Sequence, residues 1–166
     1  RQMCIRDSLY DDLFYIKKGE GNETVVLLHG LFGSAKNLNA LANVLAQHFT
    51  VYSIDLPNHG QSLHVDDMSI ETMADSVLGF LSGLGVNEFS IFGHSLGGKV
   101  AMTIALKNSQ TVKKLAVGDI APIAYADKHQ KILRALSFAS AGGMPSRKIV
   151  DERLVEHLSD VGIRQF

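Results

Sequence analysis

The sequence predicts an α/β fold, a mostly parallel sheet flanked by helices, and three observations carry that expectation. Short apolar or β-branched runs of strand length alternate with segments whose apolar residues recur at helical spacing. Thr24 to Leu28 (TVVLL) is a continuous apolar run after its first residue, as in strands buried on both faces of a parallel sheet. Helix start and stop residues also stand at the junctions, with Ser69 before one helical segment and Gly85 after it.

Taken in order, Leu13 to Lys17 is a short strand candidate, followed by the turn-like Gly19-Glu20-Gly21-Asn22. Thr24 to Leu28 is the first buried strand. Leu38, Leu41, Ala42 and Leu45 then mark a helix face, with Ser34 upstream as its candidate cap. Phe49 to Ile54 is the next strand and ends at Asp55. Ile70, Met73, Val77, Leu81 and Leu84 line one face of a second helix. Glu88 to Phe92 is a third buried strand, Leu96 to Lys107 a helix, and Leu115 to Val117 a fourth strand. From Tyr125 onward the pattern is helical only. Ile132, Leu133 and Leu136 mark one segment, and Val150, Leu154, Leu158 and Val161 another, with Gly142-Gly143-Met144-Pro145 as the break between them. There are no internal repeats.

Composition narrows the function classes. A chain of 166 residues suits about one domain. With 46% hydrophobic and 20% charged residues it matches an ordinary globular protein. A net charge of −1 without a basic block gives no footprint for nucleic acid or an anionic membrane. No apolar run approaches the roughly 20 residues of a membrane span. Cys4 is the only cysteine, so no internal disulfide forms; a reducing, cytoplasmic location is expected. There is no C-x-x-C pair and no H-E-x-x-H, and the seven histidines are scattered, so no metal site is expected. The phosphate-loop pattern fails because Val100 follows Gly98-Lys99, and no cofactor is expected.

The ends read differently from the rest. Arg1 to Ser8 (RQMCIRDS) has neither strand alternation nor a signal-peptide layout and reads as a non-native run-in. After Gly162, Ile163 and Phe166 have no partner segment, so the chain reads as an N-terminal fragment.

Gly93-His94-Ser95-Leu96-Gly97 fits G-x-S-x-G, with a strand before it and a helix after it. That context places Ser95 at a sharp turn as a nucleophile candidate. Side chains at 93 or 97 would collide where the backbone doubles back, and Gly98, Ala101 and Ala105 extend a small-residue face toward the sheet. His29-Gly30-Leu31-Phe32-Gly33 follows the first buried strand. Acyl transfer needs donors aimed at the developing oxyanion, and in this architecture they are the N–H groups of Leu96 and Leu31. His29, Gly30, Gly93, His94 and Gly97 are the supporting residues of the two loops.

Four segments, LLHGLFGS (27–34), IDLPNHGQS (54–62), FGHSLGGKV (92–100) and VGDIAP (117–122), together resemble α/β-hydrolase serine esterases. They are similar to the YbfF-type bacterial esterases and their abhydrolase-domain relatives, and the similarity runs from about Leu13 to Phe166. It implies that 9–122 form the N-terminal part of the hydrolase core and 123–166 the start of a helical cap. The family order is serine, acid, histidine. Asp119 stands at one of the two places such folds put the acid; the other follows a strand absent here, and the alternative role of Asp119 is to cap the Ile120-Ala121-Pro122 turn.

The histidines are assigned other tasks. His94 is expected to point away from Ser95, His29 to bond backbone in its own loop, and His59 to order the loop after the second buried strand. His48 and His64 are expected at the surface, and His129 and His157 on cap helices. None holds the loop after a final strand, where the base belongs, so these residues alone are expected to be inactive. Asp55 precedes the serine and is expected to bond loop N–H groups. The expected activity is hydrolysis of carboxylic esters or thioesters of short acyl groups, with a small-molecule substrate and no nucleic acid. C–C bond hydrolysis, cofactor-free haloperoxidase chemistry and a non-catalytic binding module remain alternatives on the same fold. Dehalogenases and epoxide hydrolases are disfavoured because they place an aspartate where Ser95 stands.

Overall fold

The computed structural model describes residues 13–123, 130–140 and 146–158. The run-in, Cys4, Tyr125, His129, the 142–145 break, Val161 and the final residues lie outside them. The chain divides into two compact units, Arg1–Pro122 and Ile123–Phe166.

Among the described residues, five strands form the sheet of the first unit: β1 (Tyr15–Lys18), β2 (Thr24–Leu28), β3 (Thr50–Ile54), β4 (Phe89–His94) and β5 (Val112–Gly118). Their spatial order is β1-β3-β2-β4-β5. Strand β1 runs antiparallel to β3, and the other pairings are parallel. β2 and β3 are buried after their first residues, as expected for strands covered on both faces. The third expected strand differs, since β4 alternates buried and half-buried residues. β5 is longer than its apolar trio, because Lys114 joins the ladder opposite Ser90 and Lys113 is taken up at a register shift on the exposed edge strand, where charged side chains stay solvated.

The helix expected around Leu38–Leu45 is two elements, a 3₁₀ turn Ala35–Leu38 and helix α1 (Asn39–Leu45). Ser34 precedes the 3₁₀ turn rather than α1, and its N–H donates to Asn37 Oδ1 at 2.6 Å. Leu38, Ala42 and Leu45 pack on Val25, Leu27 and Val51, whereas Leu41 is exposed, contrary to the expected face.

Helix α2 (Ile70–Gly83) has Ser69 as N-cap, its side chain accepting from Thr72 N–H. Beyond Leu84 the chain closes through Gly85, with Gly85 N–H to Ser82 O at 2.9 Å and Val86 N–H to Leu81 O at 2.9 Å. This reversal needs positive φ, and Gly85 has φ +73. Met73, Ala74, Val77, Phe80 and Leu81 of α2 are buried in the main core. Helix α3 (Leu96–Lys107) buries Gly97, Gly98, Val100, Ala101 and Ile104. Ile104, not the expected Ala105, continues its inner face.

The second unit contains α4 (Gln130–Ser140) and α5 (Arg147–Val155). Ala135, Ala139, Leu154 and Leu158 form its own small core, while Leu133, expected inside, is exposed.

Chain order sets where a site can form. After β2 the chain moves to β3 on one side, then returns to place β4 on the other side of β2. Loops leaving the carboxyl ends of β2 and β4 therefore diverge and leave a crevice between them. His29-Gly30-Leu31 follows β2, and Ser95 follows β4.

Candidate active site

Ser95 is the single residue between β4 and α3, with φ 51 and ψ −114. A non-glycine residue at positive φ is strained, and such strain marks a position held by its surroundings. The surroundings here are main chain at close quarters. A Cβ at Gly93 would lie 2.1 Å from Gly97 O, and one at Gly97 would lie 2.4 Å from Leu28 O and 2.5 Å from His29 O. Ser95 N–H donates to Gly118 O at 2.9 Å, and its carbonyl accepts from Gly98 N–H at 2.9 Å. The turn is thus tied to β5 on one side and to its own helix on the other.

The loop after β2 is fastened to the same turn. Gly97 N–H donates to His29 O at 3.1 Å. A Cβ at Gly30 would come within 3.4 Å of Ser95 Cβ and 3.0 Å of His94 Nδ1, so Gly30 lets the serine approach. Leu96 is the first residue of α3, where N–H groups have no partner within the helix. Among the described residues, neither Leu96 N–H nor Leu31 N–H bonds a protein acceptor. Phe32, next in the loop, has φ 60 and is exposed.

The remaining expected residues divide. His29 is 1% exposed; its Nδ1 lies 2.8 Å from Gly30 O, and its Nε2 accepts from Leu56 N–H at 3.0 Å. Burial, the largest effect, holds its pKa below the usual imidazole value; the Gly30 carbonyl opposes that, the His59 ring adds to it, and Asp55 opposes it weakly. His59 is buried, with Nδ1 2.8 Å from Pro57 O. Asp55, 1% exposed, accepts from Ala35 N–H and from Gln61 N–H at 2.8 Å. Both therefore do the loop-holding work expected of them. Gly60 leaves the room Asp55 needs, since a Cβ there would fall 1.9 Å from Asp55 Oδ2. His48 and His64 are exposed. His157 is exposed just past α5, its ring 4.5 Å from that of Phe138.

Sequence reasoning did not foresee one contact. Asp119, the residue after β5, has φ 58 and is 83% exposed in its side chain, and its Oδ2 lies 3.7 Å from His94 Nε2. The His94 ring therefore sits between Gly30 and Asp119, and no hydrogen bond joins it to Ser95 among the described residues. Register explains this placement, because His94 pairs with Gly118, the residue before Asp119. Sequence spacing alone does not give that pairing. No group of three or more possible metal ligands occurs among the described residues.

A nucleophile turn between a parallel strand and its helix, flanked by a glycine loop from the neighbouring strand, defines the α/β hydrolases as a class. The chain belongs to that family: the family described as alpha/beta hydrolase fold matches residues 23–155. It is similar to the sn-1-specific diacylglycerol lipase ABHD11 of Mus musculus, with 37% identity over 86% of this chain and 49% of that protein. It is also similar to Esterase YbfF of Escherichia coli, with 33% identity over 87% of this chain and 58% of that protein. Among solved structures, a marine microorganism esterase superposes with TM-score 0.83 and 40% identity, covering 93% of this chain and 61% of that one. The chain spans about half the length of the curated relatives it matches.

Proposed function

We propose that the protein is a serine hydrolase of carboxylic esters or thioesters with short acyl groups, working through an acyl-enzyme on Ser95. The observation that carries this reading is the Ser95 turn, held at φ 51 beside the Gly30-Leu31 loop by the Gly97 N–H to His29 O bond. In the reaction, Ser95 Oγ attacks the acyl carbonyl and its proton passes to a base. The Leu31 and Leu96 N–H groups stabilise the negative oxygen. The carbon–oxygen or carbon–sulfur bond to the leaving group then breaks, and that group departs with the proton. Water repeats the attack and releases the acid. Asp119 is the proposed acid. The base is a histidine in the loop after a final strand, and among the described residues no histidine holds that place. Residues 123–166 are proposed as the start of the cap.

The test is hydrolysis of p-nitrophenyl acetate by the full-length protein. Ser95→Ala is expected to lower kcat by at least about 10⁴-fold. A Ser95→Ala variant as active as the parent would remove the reading.

Acyl transfer to an alcohol is a second reading. It is supported by similarity to Ethanol acetyltransferase 1 of Wickerhamomyces ciferrii, 31% identical over 87% of this chain and 40% of that protein. Adding ethanol to the hydrolysis assay separates the two, because transfer yields ethyl acetate in place of acetate.

A further inference from the structure

The buried imidazole beneath the glycine loop is placed to do more than fill space. Gly30 O accepts from Gly33 N–H at 3.0 Å and lies 2.8 Å from His29 Nδ1. His29 Nε2 already accepts from Leu56 N–H at 3.0 Å, so in the neutral ring the proton sits on Nδ1, which donates to Gly30 O. The Gly30 carbonyl is therefore held by two donors, one of them the buried His29 ring.

A trans peptide unit is planar, with its C=O and N–H pointing in opposite directions, and no peptide bond among the described residues is cis. Holding Gly30 O inward turns the Leu31 N–H outward. Ser95 is close to this peptide unit, since a Cβ at Gly30 would sit 3.4 Å from Ser95 Cβ. We propose that His29 is a positioning residue: its Nδ1–H fixes the Gly30–Leu31 peptide plane and so aims the Leu31 N–H at the substrate oxyanion. The inference rests on the proposed acyl-transfer reading and deepens it.

Other features fit this role. The preceding peptide is held as well, because His29 O accepts from Gly97 N–H. Gly33 is needed for the second donor to approach; a Cβ there would stand 2.9 Å from Gly30 O and 3.1 Å from His29 Nδ1. Leu56, which sets the tautomer, belongs to the loop after β3, whose neighbour Asp55 bonds Ala35 N–H at the far end of the glycine loop. The loop that leaves β3 thus braces the loop that leaves β2. Burial keeps the imidazole neutral, which preserves Nε2 as an acceptor.

Two isosteres divide the ring's tasks. An asparagine amide reaches about as far as Nδ1 and can donate to Gly30 O. A glutamine amide reaches about as far as Nε2 and can accept from Leu56 N–H, leaving Gly30 O without its side-chain donor. In full-length protein assayed with p-nitrophenyl acetate, His29→Gln is expected to lose about 100-fold in kcat, the scale of one misaimed oxyanion donor, with KM changed little. His29→Asn is expected to keep most of kcat, even where it melts lower than His29→Gln. Equal kcat losses in the two variants, or a greater loss in His29→Asn, would overturn the assignment.

Nitrogen-15 NMR of the parent supplies an arm independent of turnover. A proton on Nδ1 of His29 at neutral pH, with the Leu31 amide resonance retained in His29→Asn and displaced in His29→Gln, supports the role. A proton on Nε2 refutes it. A parent without Ser95-dependent hydrolysis would sink the proposed function, and the NMR arm would still decide what His29 holds.

Discussion

The buried histidine under the glycine loop makes stability depend on pH in a definite direction. His29 is held neutral by burial, with its pKa below the ordinary imidazole value of about 6.5. Between that lowered value and 6.5 the unfolded chain binds more protons than the folded one, so folding stability rises with pH across this window. Stability is fully present above the unfolded value and is lost as pH falls toward the folded value. Urea midpoints of the parent should therefore decline as pH is lowered from about 7 to about 5, and His29→Gln should flatten that decline. A parent midpoint unchanged over this range would show that His29 does not titrate with unfolding. At this scale the sequence was legible wherever sterics acted locally. Gly93 and Gly97 follow from the reversal itself, and the loop-holding task of Asp55 from its short acidic side chain. The approach of His94 to Asp119 was not legible, because it depends on which residue of β5 lies beside β4.

Among the elements, glycines that look alike in sequence fail for different reasons. Gly85 ends α2 at φ +73, and a Cβ added there would meet no atom within 4 Å. Gly85→Ala should therefore show only backbone strain, about 1 kcal/mol. Gly97→Ala brings a Cβ against two backbone oxygens, at 2.4 and 2.5 Å, which cannot swing aside as side chains do. It should cost at least about 2 kcal/mol and separate the glycine loop from the Ser95 turn. Urea denaturation of both variants checks the contrast, and equal losses would contradict it. The period and cap of α2 were legible because a long apolar face repeats, and in α3 the small residues Gly98 and Ala101 are buried as expected. The region around Leu38 was not, since a 3₁₀ turn and a short helix share one apolar spacing. Strand β5 was read short because its lysines carry no hydrophobic signal, although Lys114 pairs with Ser90 of β4.

For the whole molecule, alternation of strands and helices gave the α/β class. It did not give the spatial order β1-β3-β2-β4-β5 or the antiparallel β1, which depend on pairings between distant segments. That order is what sets the loops after β2 and β4 side by side and lets a glycine loop and a strained serine share one crevice. Among the described residues no helix is long and apolar enough to cross a membrane. The central claim is that this crevice makes the Ser95 hydroxyl a nucleophile, and the most direct measurement is peptide mass spectrometry of the full-length protein after treatment with a fluorophosphonate. The account predicts one adduct, on Ser95, absent from Ser95→Ala. A folded parent that stays unlabelled, or that is labelled at another residue while Ser95 remains free, would contradict it.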